Sequence, residues 1–293
     1  MELRVLRYFL AVAQAESISR AAQYLHLTQP TLSRQLMDLE DELGAKLFIR
    51  GRKVTLTEKG LLLRKRASEI IELSNKAARE ISTPDATLGG EIHIGGGETD
   101  AMRLMAKAAV NFNKKYPLVR YHLHSGNAED ISERLDKGLL DFGLIIAPTS
   151  FHKYDSIRLP AIDTWGLLTR KDSPLAKLKA ISPKDLWDLP LISSRQRLLS
   201  GELSKWIGRS FESLNVVATY NLIFNAALMV EEGLGHALCL DKLVSAVGSQ
   251  TMCFKPLKPR LESTISIVWK KNQVFSKSAE KFLLSLRALW GHE

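Results

Sequence analysis

Residues 21–60 read AAQYLHLTQPTLSRQLMDLEDELGAKLFIRGRKVTLTEKG, and most of what the chain is follows from how this stretch is interpreted. Thr28 stands where a helix N-cap is favoured, Pro30 falls in the first turn after it, and Leu32, Leu36, Leu39 and Leu43 recur on one face before Gly44. This spacing predicts a helix. Just upstream, Ala21, Ala22 and Leu25 belong to a shorter helix that Ser17 or Ser19 would cap, with a short turn at His26-Leu27 between the two. Helix, short turn, helix is the geometry that lays a second helix in the major groove of DNA. Opposite its leucines the longer helix carries Gln29, Thr31, Ser33, Arg34 and Gln35. These are short donors and acceptors suited to base edges, with an arginine for phosphate or guanine. A plain surface helix with mixed polar residues has the same pattern, so spacing by itself leaves both readings open.

The residues before this stretch, MELRVLRYFLAVAQAES, also admit two readings. Arg4 and Arg7 precede the apolar run Tyr8 to Ala13, and Ala13-Gln14-Ala15 has the form of a signal-peptide cleavage site. Yet Leu3, Leu6, Phe9 and Val12 or Ala13 recur at helical spacing, and the apolar run is shorter than the about 7–15 residues of a signal. An amphipathic first helix is expected instead. No apolar run approaches the roughly 18 residues that span a bilayer.

The formal charge of +9 suggests a polyanionic partner, and its distribution sharpens the point. Between Lys46 and Arg66 stand eight basic residues and one acidic residue, Glu58. A solvated helix face would explain an isolated charge run, but this one adjoins the two-helix signal. Cys239 and Cys253, the only cysteines, are too few for a disulfide scaffold and are compatible with a reducing compartment. A chain of 293 residues leads us to expect two or three domains.

Taken together, the paired alanines Ala21-Ala22, then QPTLSRQL, LEDELG, LFIR and VTLTEKG, resemble the N-terminal domain of the LysR-type transcriptional regulators almost position for position. The resemblance implies a winged helix-turn-helix over residues 1–57. Gln29, Pro30, Thr31 and Ser33 would then meet bases, Arg34 phosphate, and Arg50, Arg52 and Lys53 the backbone or minor groove at the wing. Between Arg50 and Val54 three residues stand where the family more often has four, so a wing one residue tighter is expected. The opening stretch becomes the family's first helix, and a cytoplasmic protein is expected.

Thr57 would cap a long helix with Glu58 in its first turn. Leu63, Ala67, Ile70, Ser74, Ala77 and Ile81 step along it by four, three, four, three and four, a coiled-coil seam with Ser74 as its polar interruption. At 1.5 Å per residue a helix over 58–83 would be about 39 Å long. Such a stripe implies a partner helix, with packing on the chain's own C-terminal part as the alternative. A homodimer is favoured, because a helix-turn-helix needs two copies to read a two-fold site. Residues 58–89 thus read as a dimerisation helix and hinge, the hinge being PDATLGG.

From Glu91 onward strands alternate with helices, which argues for parallel sheet covered on both faces. EIHIGG, VRYHLHSG and DFGLIIAP are strands separated by helices at TDAMRLMAKAAVNFNKKY and AEDISERLDKG. A second series runs through WGLLTR, LPLISS, a helix from Gly201 to Phe211, VVATYN and FNAALMVEEGLG, before STISIVWK and the helix SAEKFLLSLRALW. By resemblance, residues 90–293 form the family's effector-binding domain, an α/β fold of the two-lobed periplasmic-binding-protein kind (type II). Lobe 1 would take 90–162 and 266–293, and lobe 2 would take 163–265. A small-molecule effector would lie between them. Thr99, Asn127, Ser193, Ser194 and Arg195 are its candidate contacts; Thr99 and Asn127 read equally as helix caps, and Arg195 suits a carboxylate. Glu98 and Asp100 beside Thr99 argue against a simple anion site. The resemblance further implies double-stranded DNA and RNA polymerase as partners, and dimers that pair into tetramers.

Other chemistry has little support. Gly95-Gly96-Gly97 lies between a strand and a helix but lacks the spacing of a phosphate loop. His122 and His124 share a strand face and read as solvent-facing rather than as metal ligands, and the two cysteines have no ligand spacing. No cofactor is expected. Neither G-x-S-x-G nor H-E-x-x-H is present, so no catalytic machinery is visible. A solute-binding protein without DNA specificity would explain only residues 90–293, and an enzyme none of the motifs.

Overall fold

The computed structural model describes residues 1–51, 53–82, 88–147, 152–194, 202–243 and 251–291. The chain divides into two compact units, residues 1–83 and 84–293.

In the first unit, α1 (Leu3–Ala15), α2 (Ile18–Tyr24) and α3 (Gln29–Glu42) precede a short hairpin of β1 (Phe48–Ile49) and β2 (Thr55–Leu56), and α4 (Glu58–Ser82) follows. Leu6, Phe9 and Val12 bury one stripe of α1 against Ala21, Ala22, Leu32, Leu36 and Leu39. The opening residues are therefore built into a core, and Leu3 stays outside that stripe at 44% exposure. Helix starts and stops follow local chemistry. The Ser17 hydroxyl accepts from Arg20 N and the Thr28 hydroxyl from Thr31 N. Glu16 and His26 turn the chain at φ of 52° and 55°, and Gly44 follows α3 at 60°. The hairpin pairs Phe48 with Leu56 and Ile49 with Thr55, leaving 50–54 as the wing tip.

α4 begins where Thr57 accepts from Gly60 N at 3.0 Å and donates to the Lys46 carbonyl at 2.8 Å. A Cβ on Gly60 would lie 2.1 Å from the Leu47 carbonyl oxygen, which explains the glycine that ends VTLTEKG. Leu63, Ala67 and Ile71 of α4 then pack on the three-helix core, and Arg7 donates to Asn75 Oδ1 at 2.8 Å. This corrects part of the expected seam. Ala67 is wholly enclosed and Leu63 partly so within their own chain, while Ile70 and Ile81 are 38% and 86% exposed. The cause is geometric: an inner stripe stepping by four and a seam stepping by four and three share Leu63 and Ala67 before they diverge.

In the second unit, β3 (Gly89–Gly96) pairs in parallel with β4 (Leu118–Ser125) and β5 (Phe142–Ile146). β6 (Tyr154–Arg170) runs on into the other half of the sheet. There β7 (Leu191–Ser194), β8 (Val216–Tyr220) and β9 (His236–Leu240) form the order β6-β9-β7-β8, and β10 (Met252–Pro256) also pairs with β6. β11 (Glu262–Lys270) returns between β5 and β6, antiparallel to both. Helices α5 (Met102–Lys115) and α9 (Lys277–Trp290) cover one face of the first half, whose core includes Ile92, Phe112, Phe142, Trp269 and Phe282. α6 (Ala128–Asp136) closes over the opposite face through Ile131 and Leu135. In the second half, Leu203 and Ile207 of α7 (Glu202–Ile207) and Ala226 and Val230 of α8 (Ile223–Glu231) seal two further cores.

The parallel expectation holds for β3, β4 and β5 but not for the middle of the sheet, because β6 and β11 both run against their neighbours. β6 also begins at Tyr154, well before WGLLTR; its first part alternates buried and exposed residues and contains Pro160, which disguises a strand. β9 and β10 were not expected, since short apolar runs carry no distinguishing period. The expected helix 201–211 is shorter, ending at Ile207 before Gly208 at φ 72°, and Gly201 lies outside the described residues. Gly95 and Gly96 belong to β3 itself. A Cβ on Gly95 would lie 2.4 Å from Leu140 and 2.8 Å from Ile131, so that glycine lets α6 approach the sheet and is not part of a phosphate loop.

Gly60→Ala is expected to destabilise the first unit by about 1–3 kcal/mol through the clash with Leu47. Thermal or urea denaturation of the full chain checks this as a lower midpoint for the corresponding transition.

Candidate nucleic-acid interface and effector site

The buried leucines of α3 orient its other face outward. Gln29, Pro30, Thr31 and Arg34 are exposed and Ser33 is half-buried at the margin. The Thr31 hydroxyl lies 2.8 Å from that of Thr28, so cap and candidate reader share a hydrogen bond at the helix N-terminus. That terminus also carries the positive end of the helix dipole, while Pro30 has no N–H and the Thr31 N–H is taken by the Thr28 cap. Tyr24 at the end of α2 is 79% exposed and was not anticipated; a lone aromatic at a helix end gives no pattern to detect.

The wing is held by a residue that sequence reasoning passed over. Glu40 of α3 is almost fully buried, and its Oε1 accepts from the backbone N–H groups of Leu47 at 2.7 Å and Phe48 at 3.1 Å. Its other oxygen meets Lys46 at 3.2 Å and Arg50 at 3.6 Å. Burial pushes this carboxyl up, but the backbone donors and Lys46 outweigh it and hold Glu40 below the usual glutamate range. Arg50 is thereby tethered at the base of the wing, and Lys53 pairs with Glu16. Arg52 lies outside the described residues.

In the second unit the loop after β3 reaches across to the other half of the sheet. The Thr99 hydroxyl, buried, donates to Asp163 Oδ2 on β6 and accepts from Ala101 N at 3.1 Å. The adjacent Glu98 carboxylate accepts from Ile223 N, the first N–H of α8. Glu98 therefore already sits at the helix N-terminus where an external anion would bind. Nearby, Asp241 accepts from Thr164 N at 3.0 Å and Arg260 donates to Thr164 Oγ1 at 3.0 Å. Burial raises the Asp163 carboxyl above the usual aspartate range; the Thr99 bond and Lys242 oppose this, and Asp241 and Asp100 add to it.

The remaining candidates divide. Asn127 caps α6, accepting from Asp130 N at 2.9 Å in a reciprocal capping box, so its side chain is engaged locally. Ser193 is buried, and its Oγ has no hydrogen-bond partner among the described residues. Ser194 is half-buried at the end of β7, and Arg195 lies outside the described residues. Asp163 and Asp241 were missed, because only the fold brings Asp163 to Thr99 and Asp241 to Thr164 from distant positions. Cys239 is fully buried and its thiol is pushed up to about 12, chiefly by burial and then by Asp241, which makes it an inert structural cysteine.

Residues 3–61 match the bacterial regulatory helix-turn-helix proteins of the lysR family, and residues 85–291 match the LysR substrate binding domain. The chain belongs to the LysR family. It is a DNA-binding transcriptional regulator with a substrate-binding effector domain. Among its relatives, the Hca operon transcriptional activator HcaR of Escherichia coli is 30% identical, over 94% of this chain and 93% of that protein. An HTH-type transcriptional regulator of Bacillus subtilis, YvbU, is 27% identical over the whole of both chains. The fold is that of CbnR, a LysR family transcriptional regulator whose structure superimposes with a TM-score of 0.77 over 98% of this chain and 99% of that one, at 21% identity. The full-length CbnR complex with target DNA gives 0.75 over the same shares, also at 21% identity. No helix of the described residues is long and apolar enough to cross a membrane.

Because the Asp163 carboxyl is raised on folding, it favours the native state where it is protonated, and that contribution is lost as pH rises through its folded value. Asp163→Asn keeps an acceptor for Thr99 without the buried charge. A higher unfolding midpoint than wild type is expected at neutral pH, with the gap closing as pH falls toward the ordinary aspartate value of 3.8. Differential scanning calorimetry over a pH series checks it.

Proposed function

We propose that this regulator works as a homodimer, paired again into a tetramer, whose α3 helices enter successive major grooves of a two-fold operator in the cytoplasm. The observation that carries this reading is the outward face of α3, where Gln29, Pro30, Thr31, Ser33 and Arg34 surround a capped helix N-terminus. Gln29, Thr31 and Ser33 read base edges, Pro30 rests against a thymine methyl, and Arg34 grips phosphate. Arg50, Arg52 and Lys53 hold the backbone or minor groove at the wing, with Glu40 positioning Arg50.

The solvent-facing side of α4, with Ile70, Ala77 and Ile81 and half-buried Ser74, forms the dimer seam. Leu63 and Ala67 support it from inside by fastening α4 to its own DNA-binding core. The effector lies between lobe 1 (90–162 and 266–293) and lobe 2 (163–265), in the neighbourhood of Thr99, Ser193, Ser194 and Arg195. It exchanges the internal Thr99–Asp163 and Glu98–Ile223 bonds for bonds to itself and so changes the angle between lobes. That change repositions the subunits on DNA and alters contact with RNA polymerase; the effector domain senses without turnover.

Two substitutions test the reading. Ser33→Ala is expected to lower affinity for the selected operator roughly tenfold while leaving non-specific binding unchanged. Footprints at physiological salt check it, and an unaltered footprint removes Ser33 from the readers. Ile70→Asp is expected to give monomers by analytical ultracentrifugation; a variant that stays dimeric rules out this seam.

A further inference from the structure

His122 and His124 share a face of β4, yet the fold gives His122 a different companion. β3 and β4 run parallel with His93 opposite His122. The two imidazoles stack with centroids 4.7 Å apart and planes 15° from parallel. Glu91 lies two residues before His93 and so shares its face of β3. Its carboxylate reaches both rings: Oε2 is 3.5 Å from His93 Nε2, and Oε1 is 3.4 Å from His122 Nε2. One ligand atom from each of the three residues falls within 4.8 Å of the other two.

We propose that Glu91, His93 and His122 bind one divalent first-row transition-metal ion, zinc or a chemical neighbour, across the β3–β4 pair. Two imidazole nitrogens and one carboxylate oxygen are a donor set suited to zinc with a fourth position left for water, and also to copper, nickel or cobalt. The spacing leaves room for an ion among the three donors. Charge-assisted hydrogen bonds run about 2.7–2.9 Å, shorter than either contact. Tetrahedral zinc with bonds of about 2.0–2.1 Å has ligand–ligand edges of about 3.3 Å, close to both.

The surroundings fix the backbone of the central ligand and leave the set reachable, and a rotation of the exposed His122 ring would turn its in-plane lone pair toward the ion. His93 N donates to Asp141 Oδ2 at 2.7 Å, and Asp141 N donates back to the His93 carbonyl at 2.8 Å, which fixes the backbone carrying the central ligand. The side chains of Glu91 and His93 are 21% and 13% exposed, whereas that of His122 is 50% exposed, so an ion has a way in from solvent. His124 stands opposite Gly95, which offers no side chain with which to share an ion. A bound ion would tie edge strand β4 to β3 and stabilise the folded chain by mass action. This site is independent of the DNA and effector readings.

The test uses tag-free full-length protein stripped with chelator. Zn²⁺ is titrated calorimetrically, and Co²⁺ is followed by visible absorption. One Zn²⁺ per chain with a Kd in the micromolar range or tighter, and the intense bands of four-coordinate Co²⁺, are expected. His122→Ala and Glu91→Gln are each expected to weaken binding at least tenfold, with His124→Ala unchanged and circular dichroism showing all variants folded. Absence of saturable binding in the wild-type chain overturns the proposal, as does an affinity that His122→Ala and Glu91→Gln leave unaltered.

Discussion

One antiparallel pairing organises the described residues of the second unit. β6 continues without a break through both halves of the sheet, and β11 runs back along it from Glu262 opposite Thr164 to Lys270 opposite Tyr154. A strand shared in this way makes the two cores neighbours by covalent continuity, so their junction is defined by a few residues. The register of β11 shifts between Thr264 and Ser266, and the polar residues Asp163, Thr164, Ser263 and Ser266 are all buried in this region. Buried polar groups need partners. Asp163 obtains one from Thr99 of the first half, Thr164 from Asp241 of the second, and Ser263 accepts from Trp165 Nε1 at 2.9 Å.

The same constraint reaches the loop after β3. Thr99 and Glu98 are consecutive, and each makes its bond beyond β3's own half of the sheet, one to β6 and the other to the start of α8. A buried carboxylate held above its usual range carries a cost in the native state, and such groups cluster at functional sites. In the proposed effector reading, a ligand entering this junction would compete with these bonds, which the protein already makes.

In the DNA-binding unit the comparable device is Glu40. A carboxylate accepting two backbone N–H groups inside the fold couples α3 to the hairpin, since leaving those donors unpaired would be costly. Arg50 then stands at a set position relative to α3. Thr57 does similar work at the other end of the hairpin by joining Lys46 to the first turn of α4.

Much of this was legible from residues alone wherever the deciding contacts are local. The caps at Ser17, Thr28 and Thr57, the buried leucines of α3, the turn at Gly44 and the strand–helix alternation after Glu91 depend on neighbours within a few positions, so the sequence by itself determined the helix-turn-helix and the α/β class. Tertiary structure decided the rest. It turned Leu63 and Ala67 inward, because two stripes of nearly equal period begin at the same residues. It brought Thr99 to Asp163 from 64 positions away, and set His93 rather than His124 beside His122. Strand register and chain crossing create those meetings, and neither has a local period from which to be read.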